Sequence, residues 1–411
     1  MPDAVVALYN QDVRVPVKVV VVLSTLSAFG PLSIDLYLPG LPRLSSDFHA
    51  AASAGQLTLT ACLLGLAFGQ LLFGPLSDRL GRRRPILAGL VLFGIVSLAC
   101  AVAPDVWALV GLRFVQGLSG SAGIVIGRAV ARDMVSGLAA ARLFSLLMLV
   151  NGIAPIVAPV LGGAFLHVTS WRGLFVVLAV IDMVILVTTA RWLPETLPVE
   201  RRRRRGAARA GFSELFHDRF FIAYAVVLGL SIAAMFSYIA GSSFVLEDIY
   251  GVSPQQYSLV FGLNAFGILA AAQLNRMLVG RVSPQRLLLA GVMVVASGGT
   301  ALLVVVLAGG GLAGIIPCLF ACVAPVGVIV PNTTALALTD YEHVAGSASA
   351  ILGVMSFAVG GLAAPLVGVA GRGTAVPMAL VIASFGIAAL VTLAVASSRG
   401  LGAPAESKVL T

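Results

Sequence analysis

Twelve stretches of about twenty mostly apolar residues, each long enough to cross hydrocarbon, constrain this chain more than any other feature. They lie near residues 16–38, 54–76, 85–103, 106–130, 143–168 and 171–193, then 219–244, 255–279, 286–307, 312–338, 346–369 and 374–397. Lipid offers backbone groups no partner, so each stretch must satisfy its own hydrogen bonds, and it does so as a helix. The expected fold class is therefore an all-α membrane protein with twelve transmembrane helices in two six-helix bundles. Residues 1–193 form the first bundle, 194–218 a basic cytoplasmic linker and 219–411 the second bundle. Composition agrees: 10% of residues are charged, against about 25% in a soluble domain.

The basic residues orient the chain. With the N-terminus in the cytoplasm, 22 of the 26 Lys and Arg fall on cytoplasmic segments or helix ends, three (Arg43, Arg172, Arg372) fall outside, and Arg113 lies within a span. Such asymmetry places both termini in the cytoplasm. The unbroken arginine run at 201–205 reads as an anchor to anionic lipid headgroups. Without a folded basic surface or interleaved aromatics, nucleic acid is not an expected partner. Cys62, Cys100, Cys318 and Cys322 all sit in apolar stretches and read as small buried hydrophobes, with no disulfide framework and no metal-ligand set. The first apolar run is too long for a cleavable signal and reads as the first transmembrane helix.

The halves echo one another faintly. Ala67-Phe68-Gly69 recurs as Ala265-Phe266-Gly267, and Leu87-Ala88-Gly89 as Leu289-Ala290-Gly291. Both shifts are close to half the chain, as two parallel repeats require.

Ionisable residues inside spans are costly, by about 2.5–3.5 kcal/mol even on lenient scales, and so mark candidate function. Asp35 lies at the far end of the first run, where two readings stand: a helix-end residue outside the hydrocarbon, or a carboxylate inside the transport path. Arg113 stands inside the fourth span, and a guanidinium there needs a polar cavity or a counter-charge. Asp182 sits near the centre of the sixth span, either paired locally or involved in transport. Tyr37, Gln116, Tyr238 and Asn264 are candidates to line a cavity, although Tyr and Asn also serve as interhelical glue.

Between the second and third spans runs Gly74-Pro75-Leu76-Ser77-Asp78-Arg79-Leu80-Gly81-Arg82-Arg83. It closely resembles the loop signature of the major facilitator superfamily, Gly-x-Leu-x-Asp-Arg-x-Gly-Arg-Arg. That resemblance implies that Gly74, Asp78, Arg79, Gly81 and Arg82 latch the two bundles in an outward-open state. The Arg113-Phe114-Val115-Gln116-Gly117 stretch resembles the superfamily's proton-transfer motif. In the fifth span, Pro155, Pro159, Gly162 and Gly163 lie in a stretch similar to the antiporter motif Gly-x-x-x-Gly-Pro-x-x-Gly-Gly, with Ala154 and Ala158 where that pattern has glycine. Ile34-Asp35-Leu36-Tyr37-Leu38-Pro39 and the stretch around Pro331-Asn332-Thr333 resemble the bicyclomycin and chloramphenicol resistance group of drug:proton antiporters. Some members of that group carry a second acid two turns before the aspartate, where this chain has Ser27.

The resemblance implies a bacterial inner-membrane protein that exports small, mostly apolar drugs in exchange for protons. It would work as a monomer in the lipid bilayer, without a cofactor, with Asp35 and Arg113 in proton coupling. An importer of a nutrient such as a sugar or organic acid is the alternative. An importer of anions would be expected to carry more basic residues within its spans than Arg113. A membrane-embedded enzyme is a more distant reading, since no Gly-x-Ser-x-Gly elbow or phosphate-binding loop occurs in the sequence.

Overall fold

The structure, a computed structural model, describes residues 15–135, 137–202, 215, 217–339, 341, 345–368 and 373–398. Arg14, the arginines at 203–205, Asp340, Glu342, His343, Arg372, Arg399, Lys408 and most of the 194–218 linker lie outside the described residues. Among those described, twelve helical spans are long and apolar enough to cross a membrane, as the sequence predicts.

In chain order they are α1 (Val17–Asp47), α2 (Ala52–Leu80), α3 (Arg83–Ala101), α4 (Val106–Met134), α5 (Gly137–Phe165) and α6 (Trp171–Trp192). The second set is α7 (Arg219–Ile249), α8 (Pro254–Leu278), α9 (Pro284–Leu307), α10 (Leu312–Leu338), α11 (Ala345–Ala363, continued by a tight turn over Ala364–Gly368) and α12 (Val376–Ser398). Local chemistry sets several starts. Asp105 accepts the Trp107 and Ala108 amides at 2.9 Å to cap α4. Ser253 and Gln256 form a capping box at α8. Pro254 and Pro284 open α8 and α9, where a missing N–H leaves no bond unmade.

The largest departure from expectation is α1. It does not end near residue 38 but continues to Asp47, 31 residues in all. That is about 46 Å of helix if unbroken, well beyond a core of about 30 Å. The path is broken, however: a regular helix covers Val17–Asp35, with Pro31 inside it, and a short turn at Leu38–Gly40 leads into a last helical piece, Leu41–Asp47.

Each set of six packs in the same way. The pairings α1–α4, α1–α5, α2–α4 and α3–α6 recur as α7–α10, α7–α11, α8–α10 and α9–α12. The faint sequence echo has a structural meaning here. Gly69 of α2 packs on Leu118 and Ser121 of α4, and its counterpart Gly267 of α8 packs on Phe320 and Ala324 of α10. Likewise Gly89 of α3 meets Ser119 and Ala122 of α4, and Gly291 of α9 meets Pro325 and Ile329 of α10. The small residue of each echo thus lies where its helix approaches the fourth helix of its own set. Phe68 and Phe266, beside those glycines, are both more than half exposed and point outward.

Between the sets, α5 packs on α8 and α2 on α11, while the far end of α1 reaches α7 and α8. One face of the molecule carries the 80–83 turn with Arg79, Arg82, Arg83 and Arg84, and is termed the basic face here. Hydrogen bonds between the sets gather toward the opposite face. Ser258 donates to the Pro159 carbonyl at 2.8 Å and Gln255 to the Gly163 carbonyl at 3.0 Å. Gln56 of α2 donates to the Ala240 carbonyl of α7 at 3.1 Å. There α7 passes into a π-turn over Phe244–Ile249, and the Phe244 amide donates to the Gly241 carbonyl. The two sets are therefore closed against each other on the face opposite the basic one.

Candidate functional site

The break in α1 makes the site. A helix ends with carbonyls that have no donor above them and with the negative end of its dipole, so the Val17–Asp35 segment ends in a demand for positive charge. Arg113 of α4 answers it: both terminal nitrogens donate to the Ser33 carbonyl at 3.2 Å. The guanidinium is fully buried, lies 4.3 Å from the centre of the Tyr37 ring and 5.6 Å from that of Phe175, and also donates to Gln116. Gln116 in turn donates to the Ser97 hydroxyl at 2.6 Å, and Tyr37 shares a 3.2 Å hydrogen bond with Thr58. Tyr37, Arg113 and Gln116 are thereby gathered inside the first bundle. Tyr37 and Gln116 are almost completely buried there, where the sequence reading had them as cavity-lining candidates.

Asp35 is not part of that network. Among the described residues no ion pair joins it to Arg113. The residue is 4% exposed, and Oδ1 has no hydrogen-bond partner. Asp35 is the last residue of the regular helix, at the break within α1, and is buried, not exposed to solvent. The Leu38–Gly40 turn that follows it packs on α7 and α8, where Tyr238 and Tyr257 are almost completely buried. Tyr238 accepts a 3.0 Å hydrogen bond from Asn264, so the two second-bundle candidates are brought together, and the Asn264 side-chain oxygen is left without a partner. Asp35 therefore stands at the break next to the seam between bundles, apart from the Arg113 network.

Asp182 lies elsewhere. It is buried between α6 and α3, where Gly94 gives its carboxylate room: a Cβ on that glycine would stand 2.6 Å from Oδ2. Its Oδ1 has no hydrogen-bond partner, and no described contact links it to Asp35 or Arg113.

Two of the antiporter-motif residues, Pro159 and Gly163, belong to the seam. Pro159 and Gly163 offer their carbonyls to α8, and Gly162 lies so close to the Leu36 carbonyl, one residue after Asp35, that a Cβ there would overlap it. Pro155 lies within the same helix.

At the basic face, Arg82 pairs with Asp78 at 2.6 Å and with Asp133 of α4 at 2.8 Å, and donates to Ser77 at 2.9 Å. Gly81 takes a left-handed turn, φ 91°, with no room for a side chain beside Glu195. Glu195, just after α6, accepts the Arg82 and Arg83 amides at 2.8 and 3.2 Å. Although partial burial opposes it, the Arg82, Leu197 and Arg83 amides and the Arg202 charge hold its carboxyl below the usual range. Arg79 is exposed, and Gly74 has space around it. None of these described contacts crosses to the second bundle. Asp133 and Glu195 were missed by sequence reasoning; the signal was present as acids placed among the basic residues of that face.

Comparison with known proteins follows the same line. The chain is 38% identical over 375 residues to an uncharacterized MFS-type transporter, YdgK, of Bacillus subtilis, covering 90% of this chain and 93% of that one. It is 29% identical over 361 residues to a bicyclomycin resistance protein homolog of Haemophilus influenzae, covering 87% and 91%. Among solved structures, the nucleoside transporter NupG superposes with a TM-score of 0.76 at 11% identity, over 92% of this chain and 98% of the other, a likeness of fold alone. The sequence profile of the Major Facilitator Superfamily matches residues 23–365, and the chain belongs to that family as a multi-pass membrane transporter, not an enzyme.

Proposed function

We propose that this transporter exports small, mostly apolar drugs in exchange for protons by alternating access, with Asp35 as the proton carrier. One observation carries the reading: a carboxylate buried at the break next to the seam, with no ion-pair partner among the described residues and with one oxygen unpartnered. An isolated buried charge is held at large electrostatic cost, and a proton removes it. A drug seated in the seam then competes with the proton, and that competition is exchange. The drug class is supported by the similarity to the bicyclomycin resistance homolog.

The further assignments rest on the sequence argument. Both termini lie in the cytoplasm of a bacterium, so the basic face is inner and the closed face outer. Residues 1–193 and 219–411 are the rocking units and 194–218 their linker. The transporter acts as a monomer driven by the proton gradient, without a cofactor. The Gly74, Asp78, Arg79, Gly81 and Arg82 loop is the inner latch, which engages the second bundle only when the outer face opens.

The test is drug-triggered proton release from detergent-solubilised protein, with chloramphenicol as the probe. Wild type should release protons and Asp35→Asn should release none. Undiminished release from the variant would remove Asp35 from the mechanism.

A further inference from the structure

The basic half of the seam holds two donors that no described group answers. Gln70 of α2 stands where that helix meets α11: a Cβ on Gly353 would lie 2.7 Å from its Oε1, and its Nε2 is buried without a hydrogen-bond partner. Arg128 of α4 is the second. Four residues before it, Ile124 packs on Gly30 of α1 and joins the apolar cluster that holds Leu63 of α2 and Tyr238 of α7, so this stripe of α4 looks toward the second bundle. One turn nearer the basic face the same stripe carries Arg128, which is exposed and has neither a hydrogen bond nor an ion pair among the described residues. The two donors are close in depth. Gly69, beside Gln70, packs on Leu118 and Ser121, and Gly74 lies beside Val125, about one turn before Arg128. Gln70 and Arg128 are therefore about 10 Å apart along the helix axes, a separation that one drug-sized molecule spans.

We propose that Gln70 and Arg128 form an entry site that takes drugs by their hydrogen-bond acceptors, such as carbonyl, nitro or carboxylate groups, and turns away permanent cations. This rests on the reading of the protein as a drug exporter whose basic face is inner. The described hydrogen bonds between the bundles gather at the opposite face, so a ligand reaches the seam from this side. A guanidinium keeps its charge at any working pH, and its bond to an acceptor is charge-assisted. The Gln70 amide adds an uncharged donor deeper in the seam. Within the described spans, the two acids near this face are already engaged, because Arg82 holds both Asp78 and Asp133. This half of the seam thus offers donors and a fixed positive charge without a free carboxylate to balance a cation. Repulsion between like charges is strongest where low-dielectric walls focus the field, so a cationic drug is disfavoured on entry and a neutral or anionic one is not.

Equilibrium binding to purified full-length protein tests this, with chloramphenicol as a neutral probe that carries nitro and carbonyl acceptors and ethidium as a permanent cation. Gln70→Ala and Arg128→Ala should each raise the chloramphenicol Kd about fivefold or more, the weight of one hydrogen bond. Arg128→Lys, which keeps the charge and a donor, should recover most of the affinity. Arg286→Ala, at an arginine of the same face on α9, should bind as wild type does. Wild type should bind ethidium far more weakly than chloramphenicol, and Arg128→Glu should reverse that preference. An unchanged chloramphenicol Kd in both alanine variants would overturn the site. So would an equal loss in Arg286→Ala, failure of Arg128→Lys to recover any affinity, or wild-type binding of ethidium as tight as that of chloramphenicol. Failure of the export reading shows separately, as wild-type proteoliposomes that exchange no chloramphenicol for protons; wild type that binds none either takes the site down with it.

Discussion

At the scale of single residues, the two intramembrane charges that the sequence singled out have different partners and different work. Arg113 is matched by the end of a helix, not by an acid. Its truncation to alanine leaves the Ser33 carbonyl and the Gln116 side-chain oxygen without the arginine donor, and a void beneath Tyr37. Lost hydrogen bonds and a cavity together should cost about 2–5 kcal/mol. Thermal unfolding in detergent would show this as a lowered Tm. Arg113→Lys, still able to donate to a carbonyl, should lose less than half as much; equal losses in the two variants would argue against the capping role. Asp35 was legible as a rare acid in an apolar run. Its freedom from Arg113 was not, because a seventy-eight-residue separation in sequence says nothing about which way either side chain turns.

At the scale of elements, α1 and α5 are fitted to each other around the Asp35 break. Gly162 permits the Leu36 carbonyl to approach, whereas Gly74 in the latch loop has only Val125 Cγ1, at 3.8 Å, near the place a Cβ would take. Gly162→Ala should therefore destabilise by about 1–3 kcal/mol through overpacking. Gly74→Ala should stay within about 0.5 kcal/mol. The comparison can be made by thermal unfolding of the two purified variants, and a Gly74→Ala loss as large as that of Gly162→Ala would contradict it. Span count and type were readable from hydropathy alone. The break and the extension of α1 to Asp47 were not, since Leu41–Asp47 carries too many polar residues to announce a continued span.

At the scale of the whole molecule, the closed face and the basic face are held by different chemistry. Hydrogen bonds between side-chain groups and backbone carbonyls join the bundles on one side, and ion pairs and amide–carboxylate bonds brace the first bundle on the other. The Glu195 contact has a definite pH signature. A carboxyl group held below its ordinary value of about 4.3 binds fewer protons when folded than when unfolded. The stability it contributes is present above that value and disappears as pH falls through the lower folded one. Glu195→Gln should thus lower Tm by an amount that stays constant from pH 5 to 8 and shrinks at more acid pH. Differential scanning fluorimetry across that range checks it, and a difference that grows toward acid pH would refute the assignment.

By itself the sequence determined twelve helices and their class, because lipid leaves backbone no other solution, and it carried a faint echo between the halves that the packing of the two sets explains. It also marked Asp35 and Arg113, since charges in hydrocarbon are too costly to lie there without consequence. Only the tertiary structure decided that the guanidinium caps a broken helix while the carboxylate stays outside that network, buried at the break. It likewise decided that the loop signature binds Asp133 and Glu195 of its own side. Those choices depend on which helices touch and how each is rotated, and hydropathy is blind to both.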